Sequence, residues 1–567
     1  MPVLLIGDGP AVDAAEAMLA DADLATARGS MADLPGADLA IVVGLAGSEG
    51  FETANERAMA AETPWIAVEL GGIGGVPRAD RAAAVTTFQP GYVCYDCLRT
   101  RVQAGDPEPA EEARAERPAA FLAGAYAGLQ AIRAFSEAEV AGTVIEVPYA
   151  ERSLLPVPGC QHAPEQSREL SLDESERSLD AAVGAAETAV DDTLGIVRQV
   201  GEHASFPLPY YLSVLGDTTG FSDGSGPTRA AGVAVSWDRA FMKALGESLE
   251  RYSAAIYRTA DLEQVAPAAI DGPALDAYAS ISDQAAASAD SVPVVPGMDL
   301  QSEASVSLPA DLVFFPPPEG QLGQAITTGL GLGNGGVEAV LSGLYETVER
   351  DATMLAWYST FEPLALEVED DTFAEMARRA RGADLSVTPL LVTQDVDVPV
   401  VAVAVHRDSY PELALGSAAD LDAEAAAVDA LAEAIQNWTE LRELGPEAAD
   451  DAGGAIGRYA SDPGPASSLL DPDGSVPAAA VGPETVPEGR AELAAVLDAM
   501  DAAGLDAYAA DLTPRDVERL GFRAVRVLSP GAQPLFVDEP VFGERASEAP
   551  RELGFEPRLD RAFHPYP

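Results

Sequence analysis

The sequence predicts two consecutive units, an α/β domain over residues 1–175 and a larger α+β domain over 180–567. Three observations lead there. Short apolar runs alternate with helical periodicity near the N-terminus, pairs of glutamates recur on apolar helices farther on, and residues 164–180 between them turn polar and charged, the composition of a hinge.

In the first unit, Val3 to Ile6 reads as a buried strand, Gly7-Asp8-Gly9-Pro10 as a turn and Ala11 to Ala20 as a helix. The strand signal returns at Ala40 to Val43 and Trp65 to Val68 with a helical stretch between, which predicts a mostly parallel sheet. The Gly-x-Gly turn lacks the third glycine of a dinucleotide fingerprint, and no acidic residue clearly ends the second strand, so nucleotide binding by this unit is disfavoured. Cys94-Tyr95-Asp96-Cys97 can hold one edge of a tetrahedral Zn²⁺ or serve as a redox pair. Cys160 and His162 would complete a Cys₃His set suited to zinc; the alternative is buried small side chains and an unrelated pair.

In the second unit, Glu247 and Glu250 are three residues apart on an apolar helix, as are Glu346 and Glu349, so each pair shares a helix face. Carboxylates held this close repel unless a cation or a positive group settles the charge, which points to Mg²⁺ and nucleotide phosphates. The competing reading is a solvated helix face, common in a chain with 92 Asp and Glu. Asn334, Glu338, Glu346 and Glu349 fall along roughly one side of the second helix. The run Gly329 to Gly336 enters that helix near Val337 and is expected to let backbone amides approach a phosphate, although it lacks the Lys and Ser/Thr of a P-loop. Lys243, the single lysine of the chain, stands one turn from Glu247, and its presence is either accidental or functional. Residues 445–490, rich in Gly, Pro, Asp and Ala, read as a long surface loop, Ala491 to Asp501 as a helix and Val525 to Leu528 as a strand. Glu433-x-x-Gln436 repeats the glutamate pattern, which suggests recurring strand-and-helix units.

These residues resemble the YcaO-type ATP-dependent enzymes, and within them the azoline-forming cyclodehydratases, over roughly residues 180–567. The Glu-x-x-Glu-Arg motif is matched by Glu247, Glu250 and Arg251, and an Asn followed by glutamates four, twelve and fifteen positions on by Asn334, Glu338, Glu346 and Glu349. Ala432 to Gln436, Val525 to Val527 with Pro530 to Pro534, and the proline-rich ending His564-Pro565-Tyr566-Pro567 are further similarities. Gly232-Val233-Ala234 stands where the family often has a Gly-Lys-Gly-like turn, and Lys243 replaces a serine. The resemblance implies that Glu247, Glu250, Glu338, Glu346 and Glu349 hold Mg²⁺ against ATP together with Asn334 and Arg526. It implies further that Arg526 and Lys243 offset phosphoryl charge, and that the tail ending at Pro567 shapes the active site. The implied reaction phosphorylates a backbone amide of a precursor peptide or protein and cyclises Cys, Ser or Thr to an azoline. Thioamidation and an accessory role beside another modifying enzyme are the alternatives. A homodimer and a sulfur-transfer or dehydrogenase partner belong to the same expectation. The context of Cys94 and Cys97 resembles the zinc turn of an E1-like (ThiF-type) domain. The second Cys-x-x-Cys is missing, Ala163 occupies its last position, and His162 would stand in; the first unit is then a degenerate domain that docks substrate rather than adenylating it.

Composition bounds the remainder. Lys and Arg total 34 against 92 acids, giving a formal net charge of −58, a haloarchaeal type of composition in which salt screens the self-repulsion. Such charge argues against nonspecific nucleic-acid binding. No stretch approaches a membrane span, and three cysteines without a disulfide framework suggest a cytoplasmic enzyme.

Overall fold

The computed structural model describes residues 2–567 apart from positions 106, 165, 282–284, 287, 288, 319, 321, 324, 325, 453 and 538, and apart from the side chains of 450–456. The first unit runs β1 (Val3–Ile6), α1 (Pro10–Asp21), β2 (Thr26–Arg28), β3 (Ala40–Leu45), α2 (Gly50–Ala60), β4 (Trp65–Leu70), β5 (Ala83–Phe88), α3 (Tyr95–Gln103), α4 (Arg117–Phe135), β6 (Thr143–Val147) and β7 (Ala150–Ser153). Its sheet has the order β2-β1-β3-β4-β5-β6-β7. Side chains alternate across it as the pleat requires. Val3 and Leu5 pack with Val12 and Ala15 of α1 and Ala123 and Ala127 of α4, while Leu4 and Ile6 pack with Phe51 and Ala54 of α2. The expectation of a mostly parallel sheet holds for β1 to β4 and fails beyond them, where β4-β5, β5-β6 and β6-β7 are antiparallel. The reason is local. Between β4 and β5 the chain makes only a small hairpin, Gly72–Ile73 on Val76–Pro77, and no crossover helix carries it back to the starting edge.

The second unit repeats one construction three times. Its main elements are β8 (Tyr210–Leu215), β9 (Arg229–Val233), α5 (Trp237–Ala254), β10 (Leu330–Gly333), α6 (Gly336–Trp357), β11 (Val400–His406), β12 (Leu413–Ala419), α7 (Ala423–Leu444), β13 (Tyr508–Asp511) and β14 (Arg523–Leu528). In three separate sheets, the helices α5, α6 and α7 each follow a strand and lie back on it: α5 on β9, α6 on β10 and α7 on β12. A glycine permits each contact. A Cβ on Gly232, Gly331 or Gly416 would sit 2.2, 2.1 or 2.4 Å from the carbonyl oxygen of Ala240, Ala339 or Ala430, closer than any real side chain. Gly232, where the family has its turn, is therefore a packing glycine in this chain.

Two connecting segments differ from expectation. Residues 164–180, read as a hinge, are fastened to the second unit: Gln166 donates to the Thr513 carbonyl, Arg168 to Ile256, and Arg177 to Leu520 and Gly521. Residues 445–490, read as a surface loop, hold helices Pro446–Ala452 and Gly454–Tyr459 and a strand Ser475–Pro477 that pairs with Leu364–Glu367. Tyr459, Ala460, Ala466 and Leu469 are buried there, because small apolar residues between the breakers pack even where no long periodic run announces them.

Candidate functional site: a carboxylate cleft and a thiol cluster

The threefold construction carries a threefold polar contact. The glutamate that opens each Glu-x-x-Glu or Glu-x-x-Gln pair accepts a hydrogen bond from a backbone N–H sixteen or seventeen residues earlier: Ala231 to Glu247 at 2.6 Å, Gly329 to Glu346 at 2.9 Å and Ser417 to Glu433 at 2.7 Å. Three helices from distant parts of the sequence thus turn carboxylates toward one cleft. The second glutamates complete it. Glu349 accepts from the Ser417 hydroxyl at 2.6 Å, and Glu250 has neither hydrogen bond nor ion pair among the described residues.

Electrostatics sharpens the picture. Burial, with Glu346 and Glu247 adding to it, pushes Glu250 up to about 8, and burial pushes Glu349 up to about 8 against the pull of Arg350. Glu247 and Glu433 are raised for the same first reason, burial. Two arginines face this charge. Arg350 lies 3.3 Å from Glu349, 3.8 Å from Glu346 and 4.0 Å from Glu433. Arg526 on β14 is buried, and burial lowers it to about 10 even though Glu346 and Glu250 favour its charge. Among the described residues Nη2 of Arg526 donates to the Ile326 carbonyl at 2.8 Å, while Nε and Nη1 have no hydrogen-bond partner.

The other expected residues divide around this cleft. Asn334 donates to Glu338 from its backbone at 2.9 Å and from its side chain at 3.0 Å, so the pair is mutually fixed, with Glu338 exposed. Lys243 reaches Asp429 at 2.7 Å rather than a glutamate of the cleft, on an exposed rim. The tail is seated: the Ala562 carbonyl accepts from Trp357 at 2.8 Å, His564 and Tyr566 are buried, and the Pro567 oxygen accepts from Arg350 Nη1 at 2.8 Å. Arg350, Glu433 and Ser417 were not singled out from the sequence as site residues. Arg350 follows Glu349 directly, and Glu433 opens the third repeat, so the signal for both was present.

One expectation is overturned. The glycine run before α6 does not leave its N-terminal amides open to a phosphate. Val337 N–H donates to the Asp173 carbonyl at 3.2 Å and Gly336 N–H lies 3.4 Å from the Asp173 carboxylate. A Cβ on Gly336 would stand 1.7 Å from the Ser171 oxygen. The glycines admit the segment joining the two units, whose aspartate fills the positive helix end.

In the first unit, the thiols of Cys94, Cys97 and Cys160 converge, with Cys94 3.7 Å from Cys97 and 3.5 Å from Cys160. His162 Nδ1 lies 3.5 Å from Cys94 and 3.3 Å from Asp96, in a second cluster that shares only Cys94 with the first. Hydrogen bonds from Cys160 and Cys94 hold Cys97 well below the ordinary thiol range, while those to Cys160 and Cys97 push Cys94 up, and Cys160, pulled down by Cys94, is raised by Cys97 and burial. A tetrahedral zinc with bonds of about 2.3 Å needs sulfur–sulfur edges of roughly 3.8 Å, and the three thiols come near that spacing.

Comparison with known proteins follows the same division. An uncharacterized protein of Methanothermobacter thermautotrophicus is 31% identical over 223 residues, 36% of this chain and 56% of that protein, so the chain spans little more than half the length of this curated relative. A heterocyclase solved in complex with substrate and cofactor shares the fold with a TM-score of 0.73 at 18% identity, covering 98% of this chain and 83% of that one. The heterocyclase TruD gives 0.66 at 19%, covering 98% and 82%. Among the described residues no helix is long and apolar enough to cross a membrane. The family model described as YcaO cyclodehydratase, ATP- and Mg²⁺-binding, matches residues 231–533, more than half of the chain and all three glutamate helices; the chain belongs to the YcaO family of ATP- and Mg²⁺-binding enzymes.

Proposed function

We propose that this enzyme uses ATP to activate a backbone amide of a peptide or protein substrate and closes a Cys, Ser or Thr side chain onto it as an azoline. The observation that carries the reading is Glu250, a buried carboxyl group with no hydrogen bond or ion pair among the described residues, whose charge Glu346 and Glu247 oppose and Arg251 and Arg526 favour. A fold keeps a carboxyl group whose ionisation is so disfavoured where a ligand supplies the cation that restores it. Glu247, Glu250, Glu346 and Glu349, with Glu338 held by Asn334 farther along α6, suit Mg²⁺, which when bound would neutralise the triphosphate and polarise its γ-phosphoryl group. In the reaction, the substrate's sulfur or hydroxyl oxygen bonds to the carbonyl carbon and loses its proton, and the carbonyl π electrons move onto oxygen. That oxygen bonds to the γ-phosphorus as the bond to ADP breaks. The amide nitrogen then loses its proton, the C–N double bond forms and phosphate leaves with the former carbonyl oxygen. No electron is gained or lost overall. Arg526 offers donors to the transferring group, Arg350 holds Glu346, Glu349 and Glu433 in place, and the tail is fastened to Arg350 through Pro567.

In the same reading Cys94, Cys97 and Cys160 hold a structural zinc, with His162 or Asp96 as the fourth ligand, in an E1-like unit that docks the substrate. The fold likeness to two heterocyclases supports this arrangement over an accessory role.

Glu346→Gln is expected to lower Mg-ATP affinity or turnover at least about tenfold, equivalent to about 1.4 kcal/mol. Titration of ATP and phosphate release in high salt measure it, and mass spectrometry of a Cys-, Ser- or Thr-rich peptide should show loss of one water per ring. Equal affinity and turnover in the variant would remove the glutamate assignment. Exchange of oxygen for sulfur in the product would replace cyclisation with thioamidation.

A further inference from the structure

Beside the carboxylates lies a cleft whose lining includes Arg350 and Arg526. Among the described residues its lining contains no Asp or Glu. Its walls are largely apolar, among them Leu312, Leu535, Phe536 and Val541. Two buried polar groups at its edge are unanswered. Among the described residues the hydroxyl of Tyr278, which is 5% exposed, has no hydrogen-bond partner, and Arg526, also 5% exposed, has two nitrogens without one. Both can donate.

We infer that this cleft receives the reacting amide together with an uncharged, apolar side chain next to it, and that Tyr278 and Arg526 donate hydrogen bonds to the carbonyl oxygen as it becomes an oxyanion. The inference rests on the proposed amide chemistry and adds its substrate class and a further catalytic residue. Each feature follows from the wall. Leu312, Leu535 and Phe536 reward burial of an apolar group and penalise a charged one. The described lining places no carboxylate against developing negative charge, and the Tyr278 phenol and Arg526 guanidinium both bring donors to the cleft. Arg526 feels Glu346 and Glu250 while lining the cleft, so one guanidinium can serve both phosphoryl donor and amide acceptor.

The test uses the full chain in high salt with two blocked dipeptide amides as probes, acetyl-Leu-Cys-amide and acetyl-Asp-Cys-amide. Binding is measured by calorimetry with Mg²⁺ and a non-hydrolysable ATP analogue, and phosphate release with ATP. The leucyl probe should bind at least tenfold more tightly than the aspartyl one. Val541→Trp should lower the affinity for the leucyl probe relative to that for Mg-ATP by at least tenfold. Tyr278→Phe should reduce probe-dependent kcat about tenfold with little change in KM, since an oxyanion contact strengthens only in the transition state. Equal binding of the two probes, no binding of either, or a Val541→Trp variant that loses Mg-ATP and probe in proportion would overturn the inference. Failure of the function reading looks different. Phosphate release indifferent to every peptide, with the leucyl probe still bound in the cleft, would remove amide activation and leave the apolar binding site standing.

Discussion

The carboxylate cleft and the thiol cluster meet on opposite faces of one helix. Glu247 and Glu250 turn one side of α5 to the cleft, while Leu245, Leu249 and Tyr252 turn the other into the core that contains Cys94 and Cys97. The two sides are finished differently. On the thiol side the buried charges next to α5 are paired with each other: Arg101 of α3 forms a buried ion pair with Asp516, and Tyr252 donates to the same carboxylate at 2.6 Å. On the cleft side five glutamates face Arg251, Arg350 and Arg526, and Glu250 is left alone. A buried charge without a partner costs several kcal/mol, and one leaving its partner behind costs as much again. The contrast separates a surface completed by protein from one completed by ligand.

That contrast can be broken most forcefully at the thiols. Binding energy of a structural zinc is folding energy, so Cys94→Ser, or chelation of the native protein, is expected to cost several kcal/mol of stability. Metal analysis should give about one zinc per chain before and none after. Because Cys94 and Cys97 pack behind α5, the loss should reach the glutamates as weakened Mg-ATP binding; Glu346→Gln should act the other way round, lowering turnover with little effect on the melting temperature. Zinc-free native protein of undiminished stability would erase the distinction between the two faces.

How much of this could be read in the chain depends on the range of the interaction. Glu247, Glu250, Glu346 and Glu349 were legible because helical spacing is a local rule and the apolar positions around them are periodic. The strands Val3–Ile6 and Arg523–Leu528 and the helix Arg490–Ala502 were legible for the same reason. Arg350 as a hub was not, since its partners Glu433 and Pro567 lie 83 and 217 residues away in sequence. The glycine run misled because glycine has two uses. Close approach to a phosphate and close approach to another backbone leave the same composition, and only the passage of Ser171 and Asp173 across Gly336 decides between them.

A second way to sharpen the comparison lies in the tail, which belongs to the cleft through Arg350 yet is built like the thiol side. His564 is buried against Phe536 and Phe563; its Nε2 donates to the Phe536 carbonyl at 2.7 Å and its Nδ1 has no partner. Burial lowers its pKa from 6.5 to about 4, and the charges of Arg350 and Arg458 add to the effect. A folded pKa below the unfolded value means the seated tail is stabilised above pH 6.5 and loses that contribution as pH falls through 4, about 3 kcal/mol in all. Fluorescence of Trp357, which donates to the Ala562 carbonyl, should report release of the tail in that window, and His564→Asn should remove its pH dependence. A wild-type tail that stays seated at pH 4 with unchanged Trp357 emission would contradict the account.

The smallest effect is expected at Lys243. It sits on the cleft side of α5, one turn before Glu247, but its ammonium is paired with Asp429, and the two side chains are 46% and 60% exposed. Exposed pairs of this kind contribute about 0–1 kcal/mol, less in high salt. If Lys243 only trims the rim, Lys243→Arg and Lys243→Ala should both leave Mg-ATP turnover within about threefold of wild type, a difference below 1 kcal/mol. If it meets phosphate once nucleotide is bound, the alanine variant should lose at least about tenfold, with arginine recovering part of it, because charge survives that substitution and the compact ammonium does not. Steady-state ATP turnover of the two variants decides between them. A tenfold loss in the alanine variant would move Lys243 from the answered side of the comparison to the unanswered one, and would make the cleft's charge balance depend on a residue that the ligand must pull away from Asp429.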